Sequence, residues 1–189
     1  MDITSRAREQ PGMETTHSPH STTPGSVSFS PGGVGRNIAE AAHRILSRKS
    51  GFQTPVLVSL VGEDIVGGVL RNELSRIGMR INGLIPILGK ASAVCNMVLD
   101  TEGGLVAGVA DMDIIESLEG RAVSLPPSHN STLLTITSAQ VIEQLNQHNP
   151  KLVAIDGNLT ASTITDIVSH CSGCDKPGMM DPTPYPLRN

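Results

Sequence analysis

The stretch that most constrains the fold is Ser26-Val27-Ser28-Phe29-Ser30-Pro31-Gly32-Gly33-Val34-Gly35-Arg36-Asn37, with the run Ile38 to Leu46 behind it. Polar and apolar residues alternate from Ser26 to Ser30, the pattern of a half-buried strand. Gly32, Gly33 and Gly35 then permit a turn that a Cβ would obstruct. After Asn37, the residues Ile38, Ala41, Ala42, Ile45 and Leu46 recur at helical spacing. The chain here reads strand, glycine turn, helix, with bare backbone N–H groups at the helix start, an arrangement suited to a ligand rich in oxygens. The same residues also read as a tight turn in which Asn37 is an ordinary N-cap, and the local pattern leaves both open. Two phosphate loops drop out. No Gly-Lys-Ser or Gly-Lys-Thr follows, and Ile38 occupies the place of the third glycine in a dinucleotide fingerprint.

The 189 residues suffice for one domain with a real core. With no Trp, one Tyr (Tyr185) and two Phe (Phe29, Phe52), the chain lacks stacking platforms for single-stranded nucleic acid. A formal charge of −4 also argues against a nucleic-acid footprint. No apolar run approaches the ~20 residues that span a bilayer, and residues 1–25 hold no signal-peptide core, so the cytoplasm is the expected compartment. Cys95, Cys171 and Cys174 do not resemble a secreted disulfide framework. The pair Cys171-Ser-Gly-Cys174 beside His170 reads either as a redox or metal pair or as a helix end with incidental thiols. No second cysteine pair is present to complete a zinc site.

Along the chain, residues 1–25 are rich in Ser, Thr, Pro, Gly and His without apolar period and are expected to be a disordered segment preceding a domain over 26–189. Pro55 to Val61 is a nearly continuous apolar run, as in a strand covered on both faces. Asp64 then caps a helix carrying Ile65, Val69, Leu70, Leu74 and Ile77. Strands over 84–88, 92–99 and 105–109 follow without helices between them, with a hairpin turn at Asp100 to Gly104. A short helix spans Ile114 to Leu118, and 120–137 reads as a loop or insertion. Ser138 caps a helix reaching Leu145, Leu152 to Asp156 is a strand, and Gly157-Asn158 a turn. A helix with Ile164, Ile167 and Val168 leads to a last strand near Met179-Met180-Asp181. The β-α-β order implies parallel strands with crossover helices. Polar groups at the C-terminal ends of such strands, here Asp156, Asn158 and Asp181, face the ligand crevice. Asp156-Gly157 is also good turn chemistry, which ranks Asp156 below Asn158 as a ligand group.

The turn Gly32-Gly33-x-Gly35-x-Asn37, entering a helix with Ala39 and Ala42, resembles the first signature of the ribokinase-like (PfkB) carbohydrate kinases. Gly62-x-Asp64-x-x-Gly67 with Leu74-x-x-x-Gly78 resembles the family's second block. Val98-Leu99-Asp100 through Asp111-Met112-Asp113 is most similar to pseudouridine kinases within it. The resemblance covers roughly residues 26–184, about the first half of a full member. It implies an α/β fold: a ribokinase-like parallel central sheet with crossover helices and a small β lid, incomplete at both ends. The family's opening strand, ending in a sugar-binding Asp, is not found by reading the sequence. By resemblance, Gly32, Gly33, Asn37 and Asn158 contact the substrate, a ribosyl nucleoside or sugar, although Asn158 also reads as a turn former. The lid strands imply a homodimer. Full-length relatives transfer phosphate from ATP, with magnesium, to the 5′-hydroxyl. The family's base and anion hole come from a late Gly-Ala-Gly-Asp motif that this sequence lacks, and neither Asn146 nor Asn149 has the Glu three residues on that the family's Asn-x-x-Glu requires. No catalytic or metal-ligating residue is therefore assigned, and the chain alone is expected to be inactive as a kinase. The alternative is a non-catalytic remnant that binds a nucleoside or pairs through its lid.

Overall fold

The computed structural model describes residues 1–8, 22, 24–51, 53–116, 118 and 138–181. In order, they form β1 (Asp2–Ala7), β2 (Gly25–Ser30), α1 (Val34–Leu46), β3 (Ser59–Gly62), α2 (Ile65–Arg76), β4 (Leu84–Ile87), β5 (Val94–Leu99), β6 (Leu105–Asp111), α3 (Asp113–Glu116), α4 (Ser138–His148), β7 (Val153–Asp156), α5 (Ala161–Gly173) and β8 (Gly178–Asp181). The loop or insertion expected over 120–137, most of the segment between residues 8 and 24, and the exit after Asp181 lie outside the described residues.

Two β-α-β units make the core. β3 and β4 run parallel with α2 between them in sequence, and β7 and β8 run parallel with α5 between them. Successive residues of a strand point to opposite faces, so a strand buried on both sides feeds two cores. Leu57 and Val61 pack with Ala39 of α1, Leu74 of α2, Met79 and Leu84. Leu60 and Ile87 point the other way, onto Ile114 and Leu118. A third cluster joins Leu145 of α4, Val153 and Ile155 of β7, and Ile167 and Cys171 of α5. Val141 and Leu159 pack against both of the latter clusters, which makes the apolar interior continuous between the two ladders.

α1 turns a slightly different face inward from the one its apolar residues suggest. Ala39 and His43 are buried, whereas Ile45 is 59% exposed. The small Ala39 lets the helix approach the sheet, and the buried imidazole of His43 reaches the carbonyl of Ile77 at 3.1 Å through Nε2. On α4, His148 receives a hydrogen bond at Nδ1 from Arg80 Nη2 (3.1 Å), and its Nε2 lies 3.2 Å from Gln144 Oε1. Burial, then the Arg80 charge, lowers the His148 pKa.

The remaining strands form a separate four-stranded sheet, the lid, in the order β2-β1-β5-β6. β5 and β6 are antiparallel, and Asp100 Oδ1 closes their turn by accepting from the Glu102 and Gly104 N–H groups at 3.0 and 2.6 Å. Composition places residues 1–25 in a disordered segment, but Asp2–Ala7 are a strand. β1 is antiparallel to β2 and parallel to β5. Its sequence has one large apolar residue, Ile3, so no periodicity marks it. The ladders on both its edges specify it, and such tertiary pairing overrides local preference. β5 begins beside the core because Asp64 ties it down. The Asp64 carboxylate accepts from the Gly67 N–H as the N-cap of α2, and from both the N–H and the hydroxyl of Ser92, each at 2.7 Å. Burial disfavours the charge of Asp64, but the bonds from Ser92 and Gly67 prevail and its pKa lies below the usual carboxylate value. The glycines of this block are steric necessities. A Cβ on Gly62 would lie 2.3 Å from the Lys90 carbonyl oxygen, and one on Gly67 2.2 Å from that of Gly62.

Candidate functional site

The glycine turn joins β2 of the lid to α1 of the core. Gly33 is the N-cap of α1 at φ 97°, a left-handed conformation that favours glycine. A Cβ on Gly32 would sit 2.1 Å from the Asp2 carboxyl atoms, so the turn and the first strand are pressed together here. Asp2 is thus at the turn, although no strand carrying such an aspartate is legible in the sequence. Gly35 is different: a Cβ there would meet Asp156 Oδ2 at an ordinary 3.5 Å.

Helix α1 opens without a side-chain cap, because the residue its geometry requires at the N-cap has no side chain. Asn37 lies inside the helix, its N–H already bonded to the Gly33 carbonyl at 2.9 Å, which sets aside the reading of Asn37 as the N-cap. Its side-chain oxygen accepts from Arg36 Nη2, and Arg36 also pairs with Glu40. Glu40 bonds Arg44 in turn, and these bonds, that from Arg44 foremost, lower its pKa against the opposing effect of burial. Asn37 is exposed and held on one side by this charged ladder.

The missing cap comes from elsewhere in the chain. Asp156, at the end of β7, accepts from the Gly35 N–H through Oδ2 at 3.0 Å. Its Oδ1 accepts from the backbone N–H of Asn158 at 3.0 Å and from Asn158 Nδ2 at 2.7 Å. One carboxylate therefore connects the glycine turn to Asn158, two features separated by most of the chain. A negative charge at a helix N-terminus is favourable, and here it comes from the protein itself. The turn is therefore suited to a neutral, hydroxyl-rich ligand more than to a phosphate. Gly32 abuts Asp2, Gly35 and Asn158 share Asp156, and Gly33 and Asn37 lie respectively on the same glycine turn and in the first turn of α1. The Asx turn at Asp156 to Asn158 is legible locally; the bond to Gly35 is not. Asp181 is opposite Asp156 in the register of β7 and β8, at the same strand ends.

The cysteine pair stands apart from this site. Cys171 packs in the α4–α5–β7 core, where burial raises its thiol pKa, and Cys174 is the C-cap residue of α5. The Cys174 Sγ lies 3.9 Å from His170 Nε2. Among the described residues, no group of three or more His, Cys, Asp or Glu side chains could hold a metal ion. The described residues do not fit a magnesium-nucleotide site. Among the described residues, no helix is long and apolar enough to cross a membrane.

No protein-family model matches the chain. It is 32% identical to a pseudouridine kinase of Arabidopsis thaliana over 103 residues, 54% of this chain and 25% of that one. A pseudouridine kinase of Escherichia coli K12 is 30% identical over 97 residues, 51% of this chain and 29% of its own length. The ribokinase of Thermotoga maritima superposes with a TM-score of 0.68 at 15% identity, covering 100% of this chain and 51% of that protein. A ribokinase of Cryptococcus neoformans, solved with ADP, gives a TM-score of 0.59 at 16% identity and is matched over 47% of its length. The chain thus spans about half the length of the solved kinases it matches and a smaller share of the two sequence relatives. The fold is thus that of about half a ribokinase-like domain, and over about half of its length the chain is similar in sequence to pseudouridine kinases.

Proposed function

We propose that this chain is the substrate-cradling part of a pseudouridine-kinase-like enzyme, and that the glycine turn with Asn37 and Asn158 holds the hydroxyls of a ribosyl nucleoside. The observation that carries this reading is the bond from Gly35 N–H to Asp156, which brings the turn at the start of α1 to the C-terminal end of β7. Backbone N–H groups, two asparagines and the neighbouring Asp2 offer both donors and acceptors, as a sugar hydroxyl requires. In the complete domain, the reaction is transfer of a phosphoryl group from ATP, with magnesium, to the 5′-hydroxyl. Phosphoryl transfer relies on electrostatic stabilisation around the phosphates, and the Gly-Ala-Gly-Asp motif that provides it in this family is absent from the sequence. This chain alone therefore orients a nucleoside without phosphorylating it. The domain boundary near residue 26 moves outward in this reading, since β1 belongs to the lid; the compartment is the cytoplasm.

The test is calorimetric titration of the purified chain with pseudouridine, uridine and ribose. Saturable nucleoside binding is expected, and Asn37→Ala should weaken it by about 1–3 kcal/mol without altering the melting temperature. ATP consumption with magnesium and pseudouridine should stay at background. Nucleoside binding unchanged in Asn37→Ala would remove Asn37 from the site, and turnover would mean that a base and a phosphate site lie within these residues.

A further inference from the structure

The geometry points to Asp156 as a positioning residue that closes the N-terminus of α1 from β7 and fixes the glycine turn and Asn158 as one unit. Three facts combine. The N-cap of α1 is Gly33, held at φ 97° and without a side chain to satisfy the first N–H groups of the helix. One of those donors, Gly35 N–H, is taken by Asp156 Oδ2 at 3.0 Å. The other oxygen of the same carboxylate takes both the backbone and the side-chain N–H of Asn158. Three donors converge on one half-buried carboxylate, so both oxygens of Asp156 hold other groups of the chain. It acts through Gly35 and Asn158 and is not itself assigned to the ligand.

The consequence is that the two sides of the cradle are not independent. The orientation of the Asn158 amide is set by Oδ1, and the position of Oδ1 is set by what Oδ2 grips across the gap to α1. Bonds to a charged acceptor are roughly twice as strong as neutral ones, so the link resists loosening on either side. Asparagine at position 156 keeps the shape but presents an NH₂ group where one of the two oxygens stood. A donor then faces either Gly35 N–H or the Asn158 amide, and one half of the link must open. The effect on ligand affinity rests on the nucleoside reading above; the link itself does not.

The experiment is NMR on the isotope-labelled full chain, with nucleoside titration alongside. In the wild type, a scalar coupling across the hydrogen bond from Gly35 ¹⁵N to the Asp156 carboxylate carbon is expected. In Asp156→Asn one bond opens and the other now runs to a neutral, weaker acceptor, so the Gly35 amide and the Asn158 Nδ2 protons should both shift upfield, while Ser92→Ala, at the lid root, should leave both in place. Pseudouridine affinity should fall about tenfold in Asp156→Asn, the size expected for losing one well-made hydrogen bond. Absence of the coupling, or a Gly35 signal unmoved by Asp156→Asn, overturns the proposal, as does full nucleoside affinity in a variant whose Gly35 and Asn158 signals have both moved. A wild type that shows the coupling and the paired shifts but binds no nucleoside supports the link and refutes the nucleoside reading. Should Asp156→Asn fail to fold, the wild-type coupling decides.

Discussion

Replacing Asp64 by alanine removes three hydrogen bonds, one capping α2 and two that hold its start to the root of the lid. Loss of the N-cap bond to Gly67 costs about 1 kcal/mol in comparable helices. The Ser92 bonds matter more because Ser92 is only 4% exposed. Its N–H and hydroxyl proton lose their acceptor, while its oxygen keeps the Gly62 N–H at 2.9 Å. The hydroxyl proton can turn elsewhere, whereas the fixed N–H cannot; one unsatisfied buried donor costs about 1–3 kcal/mol, so the sum with the lost cap is about 2–4 kcal/mol. For a domain of this size that lowers the melting temperature by about 4–16 °C. With no Trp and a single Tyr, the transition is best followed by far-ultraviolet circular dichroism. Ser92→Ala should lose less alone, and the double variant should fall well short of the sum, because the two residues share their bonds. The pH dependence has a definite sign. The folded pKa of Asp64 is depressed, so its contribution is complete above about pH 4 and is lost as pH falls through the folded value, where the unfolded state binds more protons. Asp64→Ala should flatten that acid limb. A melting shift under about 2 °C, or strict additivity with Ser92→Ala, would refute the reasoning.

The two glycines of the turn should separate cleanly. Gly32→Ala drives a methyl group into the Asp2 carboxyl, which must turn aside at a cost of about 0.5–1.5 kcal/mol, whereas Gly35→Ala keeps its N–H and should melt at or above the wild-type temperature. Thermal melts of both variants check this, and equal losses would contradict it. The neutral His148 that accepts from Arg80 has a depressed pKa. Its contribution to stability is therefore present above about pH 6.5 and declines as pH falls towards the folded value. Urea titrations between pH 7 and 5 should show this decline, weakened in His148→Asn. On the lid, Val27, Phe29, Leu105 and Val109 are 61–72% exposed on the two outer strands β2 and β6. Edge strands of this kind invite pairing. Sedimentation at micromolar concentration is expected to show a dimer; a clean monomer would count against pairing through the lid.

What could be read from the sequence was what depends on neighbours along the chain. The apolar run ending in Val61 announces a strand buried on both faces, and Leu57, Leu60 and Val61 do feed opposite clusters. Asp64 is legible as a cap because the donor it satisfies is three residues away. Its bonds to Ser92 are not, since nothing near Asp64 marks a serine at the start of a distant strand. β1 fails for the same reason, having no apolar period of its own. In the site, the glycine turn is plain from composition, while Asn37 is easily mistaken for a cap because Asn favours that position. The helix begins three residues earlier, at Val34, since Gly33 is the residue that tolerates the entry angle. Asp156 ranks below Asn158 in sequence because Asp-Gly is ordinary turn chemistry. Its second oxygen, which binds Gly35, is visible only once the chain is folded.

The placement of β1 has a bearing on the order in which this protein assembles. The hairpin of β5 and β6 closes through Asp100 within a few residues, so it can form early at small entropic cost. β1 pairs with β2 on one side, but its other edge waits for β5, with Asp2 opposite Cys95. During synthesis β1 therefore keeps an unpaired edge until the chain has passed the whole β3-α2-β4 unit. Contacts of such long sequence separation form late, which puts the closing of the lid sheet after the parallel core. Because Asp2 abuts Gly32, the glycine turn reaches its final packing only with that last step. The glycine turn is then among the last parts of the molecule to set, and its amides should be among the last to gain protection from hydrogen exchange during refolding.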